Sequence, residues 1–149
     1  MRKDLPLSVT YEVRDRCLCL HLQRAARLVA RRFDDALRPI GLTNGQFSLL
    51  MSLNRPHAPT IGEVAELLAV DRTTLTANVK PLERRKLLQV EIDKVDRRSR
   101  RLHLTEDGRD LLATAVPIWR RQHRELDKSL DKSMGESGAA RLRSDLRGL

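Results

Sequence analysis

The sequence predicts a mainly α-helical protein with one small β-hairpin, an α+β fold class. Apolar residues recur in steps of three and four along most of the chain, which is the spacing of one face of an α-helix. Residues 88–92 and 102–104 switch instead to alternating apolar and polar residues, the pattern of short strands. Aromatic residues make up 3% of the chain, so the core must be built from Leu, Val, Ile and Ala, which suits packed helices.

A first helix is predicted from about Tyr11 to Arg38, where Pro39 and Gly41 interrupt it. Its apolar stripe consists of Cys19, Leu22, Ala26, Val29, Phe33, Ala36 and Ile40.

Three further helix starts match the capping box, in which a hydroxyl side chain and a Gln or Glu three residues later satisfy backbone N–H groups. The matches are Thr43 to Gln46, Thr60 to Glu63 and Ser133 to Glu136. They predict helices near residues 43–54, 60–69 and 134–147.

Another helix is predicted from Arg72 to about Arg85, because Asp71 is a favourable N-cap. Leu75, Val79 and Leu82 form its inward face, spaced four and three residues apart. Pro81 conflicts with this prediction, since a proline inside a helix removes a hydrogen bond and favours a kink.

Two strands follow, one with Leu88, Val90 and Ile92 and one with Leu102 and Leu104. The charged segment between them gives the hairpin a basic tip. Thr105 then caps a long helix, with Glu106 and Asp107 in its first turn and a bend expected at Pro117.

The charge balance favours a nucleic-acid partner. The chain has 29 Lys and Arg residues against 20 Asp and Glu residues, a formal net charge of +9. A basic surface of this kind attracts polyanions, although it can also belong to a merely soluble protein. The length of 149 residues fits one domain, or a small domain with additional elements for assembly.

Other functional classes find little support. No apolar run reaches the roughly 20 residues of a membrane span, and the N-terminus lacks the apolar core of a signal peptide, so a cytoplasmic protein is expected. Cys17 and Cys19, two residues apart on a predicted helix, point to different faces and should not form a disulfide. The four histidines lack metal-ligand spacing, and no phosphate loop or nucleophile elbow is present. No enzyme activity, metal or cofactor is predicted.

A helix, a turn, a second helix and a basic hairpin together indicate a winged helix-turn-helix that binds double-stranded DNA. The second helix is expected to enter the major groove, where threonines contact base edges while Lys80 and Arg84 contact phosphates. The arginine-rich tip, with Arg101 at its end, is expected to reach the minor groove. The predicted DNA-binding residues are Arg72, Thr73, Thr74, Thr76, Lys80 and Arg84 on the helix, and Arg97, Arg98 and Arg100 on the wing. A capped surface helix beside a solvated charge run is the alternative interpretation.

The segments "LRPIGLTNGQFSLLMSL", "TIGEVAELLAVDRTTLTANVKPLERRKLL" and "DKVDRRSRRLHLTEDG" closely resemble the MarR family of bacterial transcriptional regulators. The resemblance implies a homodimer on a palindromic operator, released by a small-molecule effector or by oxidation. Residues 1–42 and 106–149 would then form the dimerisation helices, and residues 43–105 the DNA-binding domain. Lys86 departs from the family, which usually has Gly there. A left-handed backbone at this position would make Lys unfavourable.

Two alternatives to effector control remain. Helix 1 is similar to the organic-hydroperoxide-sensing branch of the same family, in which a cysteine at the place of Cys19 is oxidised. Phe33 and Asn44 stand where that branch has tyrosines, so the donors that would hold the thiolate differ. The other alternative is an architectural DNA-binding protein without an effector. A small-molecule effector, bound between the dimer helices and the winged domain, is the preferred hypothesis.

Overall fold

A computed structural model of the chain describes Arg2 and residues 4–149. The elements in chain order are α1 (Leu7–Arg16), α2 (Leu18–Leu37), a short 3-10 helix (Arg38–Ile40), α3 (Asn44–Ser52), α4 (Ile61–Leu67), α5 (Arg72–Arg84), β1 (Leu88–Ile92), β2 (Arg100–Leu104), α6 (Glu106–Met134) and α7 (Gly138–Leu146). The two strands pair antiparallel, with Leu88 opposite Leu104 and Val90 opposite Leu102. The predicted α+β fold class is therefore confirmed. Among the described helices, none is both long and apolar enough to cross a membrane.

The chain divides into two compact units, the first ending at Arg32 and the second running from Phe33 to Leu149. In the first unit, none of the described residues is buried. The second unit has one aliphatic core, in which every helix from α3 to α6 and both strands take part. Its most completely buried side chains are Leu37, Leu49, Leu50, Val64, Leu75, Leu82, Leu88 and Leu102.

The prediction of one helix from Tyr11 to Arg38 is wrong at its N-terminal side. The helix is broken at Cys17, whose extended backbone (ψ 101°) ends α1 and precedes α2. The Sγ atom of Cys17 accepts a hydrogen bond from the Leu20 N–H at 3.4 Å, so the thiol acts as an N-cap. Cys17 is thus outside any helix, and the helical argument against a disulfide with Cys19 does not apply.

The first two capping boxes are present and the third is not. Thr43 and Gln46 cap α3 reciprocally, as Thr60 and Glu63 cap α4. Ser133 instead lies inside α6, where its hydroxyl donates to the Leu130 carbonyl. The predicted start near residue 134 is therefore wrong. Helix α7 begins at Gly138, and its first turn is capped by Asp131, whose carboxylate accepts from the Ala139 N–H at 2.9 Å.

Helix α5 continues through Pro81 and ends with a left-handed residue, Lys86 (φ 59°). The Leu87 N–H returns to the Leu82 carbonyl, and the Thr105 hydroxyl donates to the Lys86 carbonyl at 2.7 Å. This position has the conformation that normally selects glycine. The end of α5 is thereby fixed to the residue that caps α6.

Candidate nucleic-acid interface

The start of α5 is fixed by Asp71. Its carboxylate accepts from the Thr74 backbone N–H at 2.7 Å and from the Thr74 hydroxyl at 2.6 Å. These two bonds, the hydroxyl foremost, hold the pKa of Asp71 below its usual range. Because the Thr74 hydroxyl already donates to this carboxylate, only its lone pairs and methyl group are available to another molecule.

The two sides of α5 differ as the spacing predicts. Leu75 and Leu82 are fully buried and Val79 is 3% exposed, so these three side chains anchor the helix in the core. The opposite side is exposed to solvent and forms a shallow concave surface of about 350 Å³. That surface is lined by Arg72, Thr73, Thr76, Ala77 and Lys80. The inward and outward faces are thus confirmed.

Thr76 is held by its own helix. Its hydroxyl donates to the Arg72 carbonyl at 2.7 Å, one turn earlier. With the proton engaged, the side chain presents acceptor lone pairs and a methyl group. These groups suit an exocyclic amino group or a thymine methyl in the major groove.

Asp93 organises the wing, the hairpin formed by β1, β2 and their connecting loop. It is 3% exposed, and one carboxylate oxygen accepts from the N–H groups of Val95 and Asp96 at 2.7 and 2.8 Å. These bonds, that from Asp96 foremost, lower the pKa of Asp93. The other oxygen accepts from Arg101 Nε.

Arg101, at the end of the predicted tip, has structural partners within the protein. Besides its ion pair with Asp93, its guanidinium donates to the Ala58 carbonyl at 2.7 Å. The next residue, Leu102, donates its N–H to the Pro59 carbonyl. Arg101 therefore joins the wing to the loop before α4 through its Nε and Nη1 groups.

The remaining wing arginines are exposed. The Arg98 backbone N–H donates to the Asp96 carboxylate at 3.0 Å, so Asp96 shapes the loop. The Arg100 guanidinium donates to the carbonyls of Arg97 and Ser99, whereas the side chains of Arg97 and Arg98 have no ion pair within the described residues. The wing therefore presents cationic groups that no carboxylate neutralises.

A cleft of about 210 Å³ lies between the start of α4, the start of α5 and the wing. It brings together four predicted residues, Arg72, Thr76, Arg98 and Arg100, and also Thr60, Ile61, Gly62 and Ser99. Lys80, Arg84 and Arg97 are exposed but do not line this cleft. Gly62 and Ser99 were missed by sequence reasoning. A glycine inside a predicted helix was the available signal for Gly62.

A second cavity of about 420 Å³ lies beside α3 and α6, lined mainly by apolar side chains including Phe47, Met51 and Trp119, with Arg55 at its edge. The Phe47 and Trp119 rings stack at 6.1 Å between centroids. The Trp119 ring also lies 4.3 Å from that of His123. An aromatic wall with one cation suits a small amphipathic ligand.

Cys19, the redox candidate, lies in the first unit and is exposed. Its Sγ accepts from the Gln23 side-chain amide at 3.2 Å. Across the part of the chain that the structure describes, no group of His, Cys, Asp and Glu could hold a metal ion.

Comparison with known proteins identifies similar chains. A model of the MarR family matches residues 40–99. The organic hydroperoxide resistance transcriptional regulator of Bacillus subtilis (strain 168) is 31% identical over 101 residues, 68% of this chain and 69% of that protein. The M. tuberculosis transcriptional regulator MosR, solved in complex with DNA, has a TM-score of 0.77 and 39% identity, covering 89% of this chain and 92% of the other.

Bordetella bronchiseptica BpsR, whose DNA binding is regulated by 6-hydroxynicotinic acid, has a TM-score of 0.76 and 27% identity, over 88% of this chain and 91% of that one. The stretch matched by the family model includes α4, α5 and the wing as far as Ser99.

Proposed function

The chain belongs to the MarR family of DNA-binding transcriptional regulators, and we propose that it is a repressor that binds a palindromic operator as a homodimer and is released by a small-molecule effector. In this proposal, α5 enters the major groove and the wing enters the adjacent minor groove. The DNA contacts come from Arg72, Thr73, Thr74, Thr76, Lys80, Arg84, Arg97, Arg98 and Arg100. Residues 43–105 form the DNA-binding domain.

The observation that supports this function best is the division of α5. Its inward residues are completely buried, while Thr73, Thr76 and Lys80 share one exposed surface beside a wing with unneutralised arginines. A buried anchor, hydroxyl and methyl groups for base edges, and cations for phosphates are the elements that direct readout requires.

Dimerisation is proposed through residues 1–42 and 106–149. The stripe of Leu22, Ala26 and Val29 lies on α2, in the unit where no described residue is buried. Apolar helix surface of this extent is stable in water when a second copy covers it. A two-fold axis would place the two recognition helices about one DNA turn, ~10 base pairs, apart.

The aromatic cavity beside α3 and α6 is the proposed effector site. The half-buried Trp119, backed by Phe47, would stack on a planar ligand, and Arg55 would pair with an acidic group on it. The regulation of BpsR by 6-hydroxynicotinic acid supports a ligand of this kind. Trp119 is the one tryptophan of the sequence, so its fluorescence reports occupancy of the cavity directly.

Oxidation of Cys19 is the second candidate for regulation. The name of the Bacillus subtilis relative and the exposed position of the thiol favour it. A thiol that is accessible to peroxide can be oxidised to the sulfenic acid, provided that it ionises.

The test begins with selection of bound fragments from the source genome, repeated with aromatic acids and with an organic hydroperoxide. We expect one palindromic site and its release by one of the two reagent classes. Nearly uniform affinity for all fragments would instead indicate an architectural DNA-binding protein.

Two substitutions then separate base contacts from phosphate contacts. Thr76→Ala should lower the preference for the operator over random DNA by about 1–3 kcal/mol. Lys80→Ala should weaken binding to both DNAs equally, because a phosphate contact does not depend on sequence. Inserting five base pairs between the half-sites should abolish tight binding. Undiminished affinity for that spaced site would exclude a paired recognition helix.

A further inference from the structure

The cleft between α4, α5 and the wing has an unusual charge distribution. Its lining contains three arginines, two threonines and one serine, and no acidic residue. Arg72 and Arg98 form no ion pair with any residue that the structure describes. Like charges gathered around one concave space repel each other unless an anion lies between them. The cleft is therefore built for a negatively charged group.

Gly62 lies in close contact with one of these cations. It lies inside α4 and does not have a positive φ, so the backbone does not require glycine there. A Cβ at this position would lie 3.1 Å from Arg72 Nη2 and 3.6 Å from its Cζ. The Arg72 guanidinium therefore lies directly against the Gly62 backbone. Glycine weakens a helix relative to alanine, and here it lets the guanidinium lie a few tenths of an ångström closer to α4 than alanine would.

DNA geometry indicates which anion occupies this position. Adjacent major and minor grooves are separated by one sugar-phosphate strand. If α5 lies in a major groove and the wing lies in the neighbouring minor groove, that strand must pass between them. The space between α5 and the wing is this cleft, with Arg72 and Thr76 on the helix side and Arg98 and Arg100 on the wing side.

We infer that the cleft binds one phosphodiester group of the operator backbone in each half-site, and that Arg72, positioned by Gly62, is its principal ligand. The inference rests on the proposed mode of DNA binding and adds a specific atom group to it. The Arg72 guanidinium donates to the phosphate oxygens from the helix, and Arg98 approaches from the wing. Because the helix side and the wing side of the cleft contact the same phosphate, this contact fixes the wing relative to the recognition helix on the DNA.

The experiment is a cycle that combines protein variants with neutral methylphosphonate replacements, one phosphate at a time, in the selected operator. With the wild-type protein, replacing the phosphate that binds in the cleft should lower the affinity for the operator about tenfold. With Arg72→Ala, the same replacement should cost less than about twofold, since the contact is already lost. Lys80→Ala is the matched control, because Lys80 is on the same helix outside the cleft, and it should leave the tenfold penalty intact.

A third variant tests the role of Gly62. Gly62→Ala keeps every arginine but should shift the Arg72 guanidinium by a few tenths of an ångström, so it should reduce the penalty at the same phosphate without lowering the melting temperature. An unchanged penalty in this variant would overturn the positioning role.

The outcomes separate the two proposals. Suppose that wild-type protein binds the operator selectively, but that the affinity losses from Arg72→Ala and from methylphosphonate replacement are additive at every position. The phosphate site in the cleft is then excluded, and the regulator proposal stands. If wild-type protein binds no site selectively, both proposals fail.

Discussion

The N-terminal helices and the winged module of residues 43–105 differ in how much apolar surface they bury within their own chain. Helix α1 has ten residues and buries none of them, and the residues of α2 up to Arg32 are likewise unburied. In the winged module, Leu50, Leu75, Leu82 and Leu102 are fully buried. An isolated helix as short as α1 is marginal in water, because nucleation is costly and few hydrogen bonds offset it.

This contrast indicates how the two regions obtain their stability. The winged module shares one packed core with Leu37, Leu112 and Ala115, so its stability should depend on packing and not on protein concentration. The N-terminal helices leave apolar side chains such as Leu28 and Val29 exposed, so their stability should depend on a second copy.

The largest effect is expected from Leu75→Ala in the core of the winged module. Removing this buried side chain should lower the free energy of unfolding by about 2–5 kcal/mol, because it removes apolar contacts and leaves a cavity. Urea denaturation monitored by circular dichroism measures the change. Leu20→Ala, the same substitution at a site that is 43% exposed, should change it by less than about 0.5 kcal/mol. Equal losses would show that the two regions do not differ in packing.

Val29→Asp should affect assembly instead. Val29 is 37% exposed in the single chain and belongs to the apolar stripe of α2. A carboxylate there would be desolvated between two copies, so the dimer dissociation constant should rise about tenfold or more. Sedimentation equilibrium distinguishes the dimer from the 17.1 kDa monomer.

The control for this prediction lies on the same helix. Leu20 is nine residues before Val29, about two and a half turns, and so lies on the opposite face. Leu20→Asp should leave the dimer intact. If Leu20→Asp dissociates the dimer and Val29→Asp does not, the wrong face of α2 has been assigned to the interface.

The same contrast explains what the sequence could and could not predict. Helix α5 and its exposed face were predictable because a local cap, Asp71, and the spacing of three apolar residues determine them. The break at Cys17 was not, because the apolar stripe continues on both sides and a thiol is an unusual cap. The ion pair between Arg101 and Asp93 was not predictable, because the two residues become neighbours only when the hairpin register is known.

The predicted start of α7 near residue 134 was wrong for a related reason. The local pattern from Ser133 to Glu136 fits a capping box, but α6 continues through Ser133 and the cap comes from Asp131. Gly62 could be noticed in the sequence, yet its role depends on where the Arg72 side chain lies in three dimensions.

A smaller effect on the free energy of unfolding is expected at Lys86, where the winged module contains a left-handed backbone conformation that is unfavourable for lysine. A non-glycine residue in the left-handed region is strained, and its surroundings hold it there. Lys86→Gly should therefore raise the free energy of unfolding by about 0.5–1 kcal/mol, after the greater entropy of glycine in the unfolded chain is included. Lys86→Ala keeps the strain and should change stability little. A stabilisation of equal size in Lys86→Ala would assign the effect to the side chain and not to the backbone.

The smallest effect is expected where α2 passes from the exposed unit into the buried one. Phe33 is the first residue of the second unit, and its ring lies 4.7 Å from that of His123. Desolvation lowers the pKa of His123, an effect that Asp127 opposes and Arg143 reinforces. The folded protein therefore binds this proton less readily than the unfolded chain, in which the ordinary histidine pKa is about 6.5. The contribution to stability is complete above that pH and is lost as the pH falls below it.

Thermal melts between pH 7.5 and 5.5 should accordingly show a decrease in melting temperature that is smaller in His123→Phe. Phenylalanine keeps the ring contacts with Phe33 and Trp119 but cannot take up a proton. His57→Gln, at an exposed position, should retain the wild-type pH dependence. If the melting temperature of His123→Phe retains the full wild-type pH dependence, protonation of His123 does not oppose the packing of its ring against Phe33. The stability of the buried end of α2 then does not depend on this histidine.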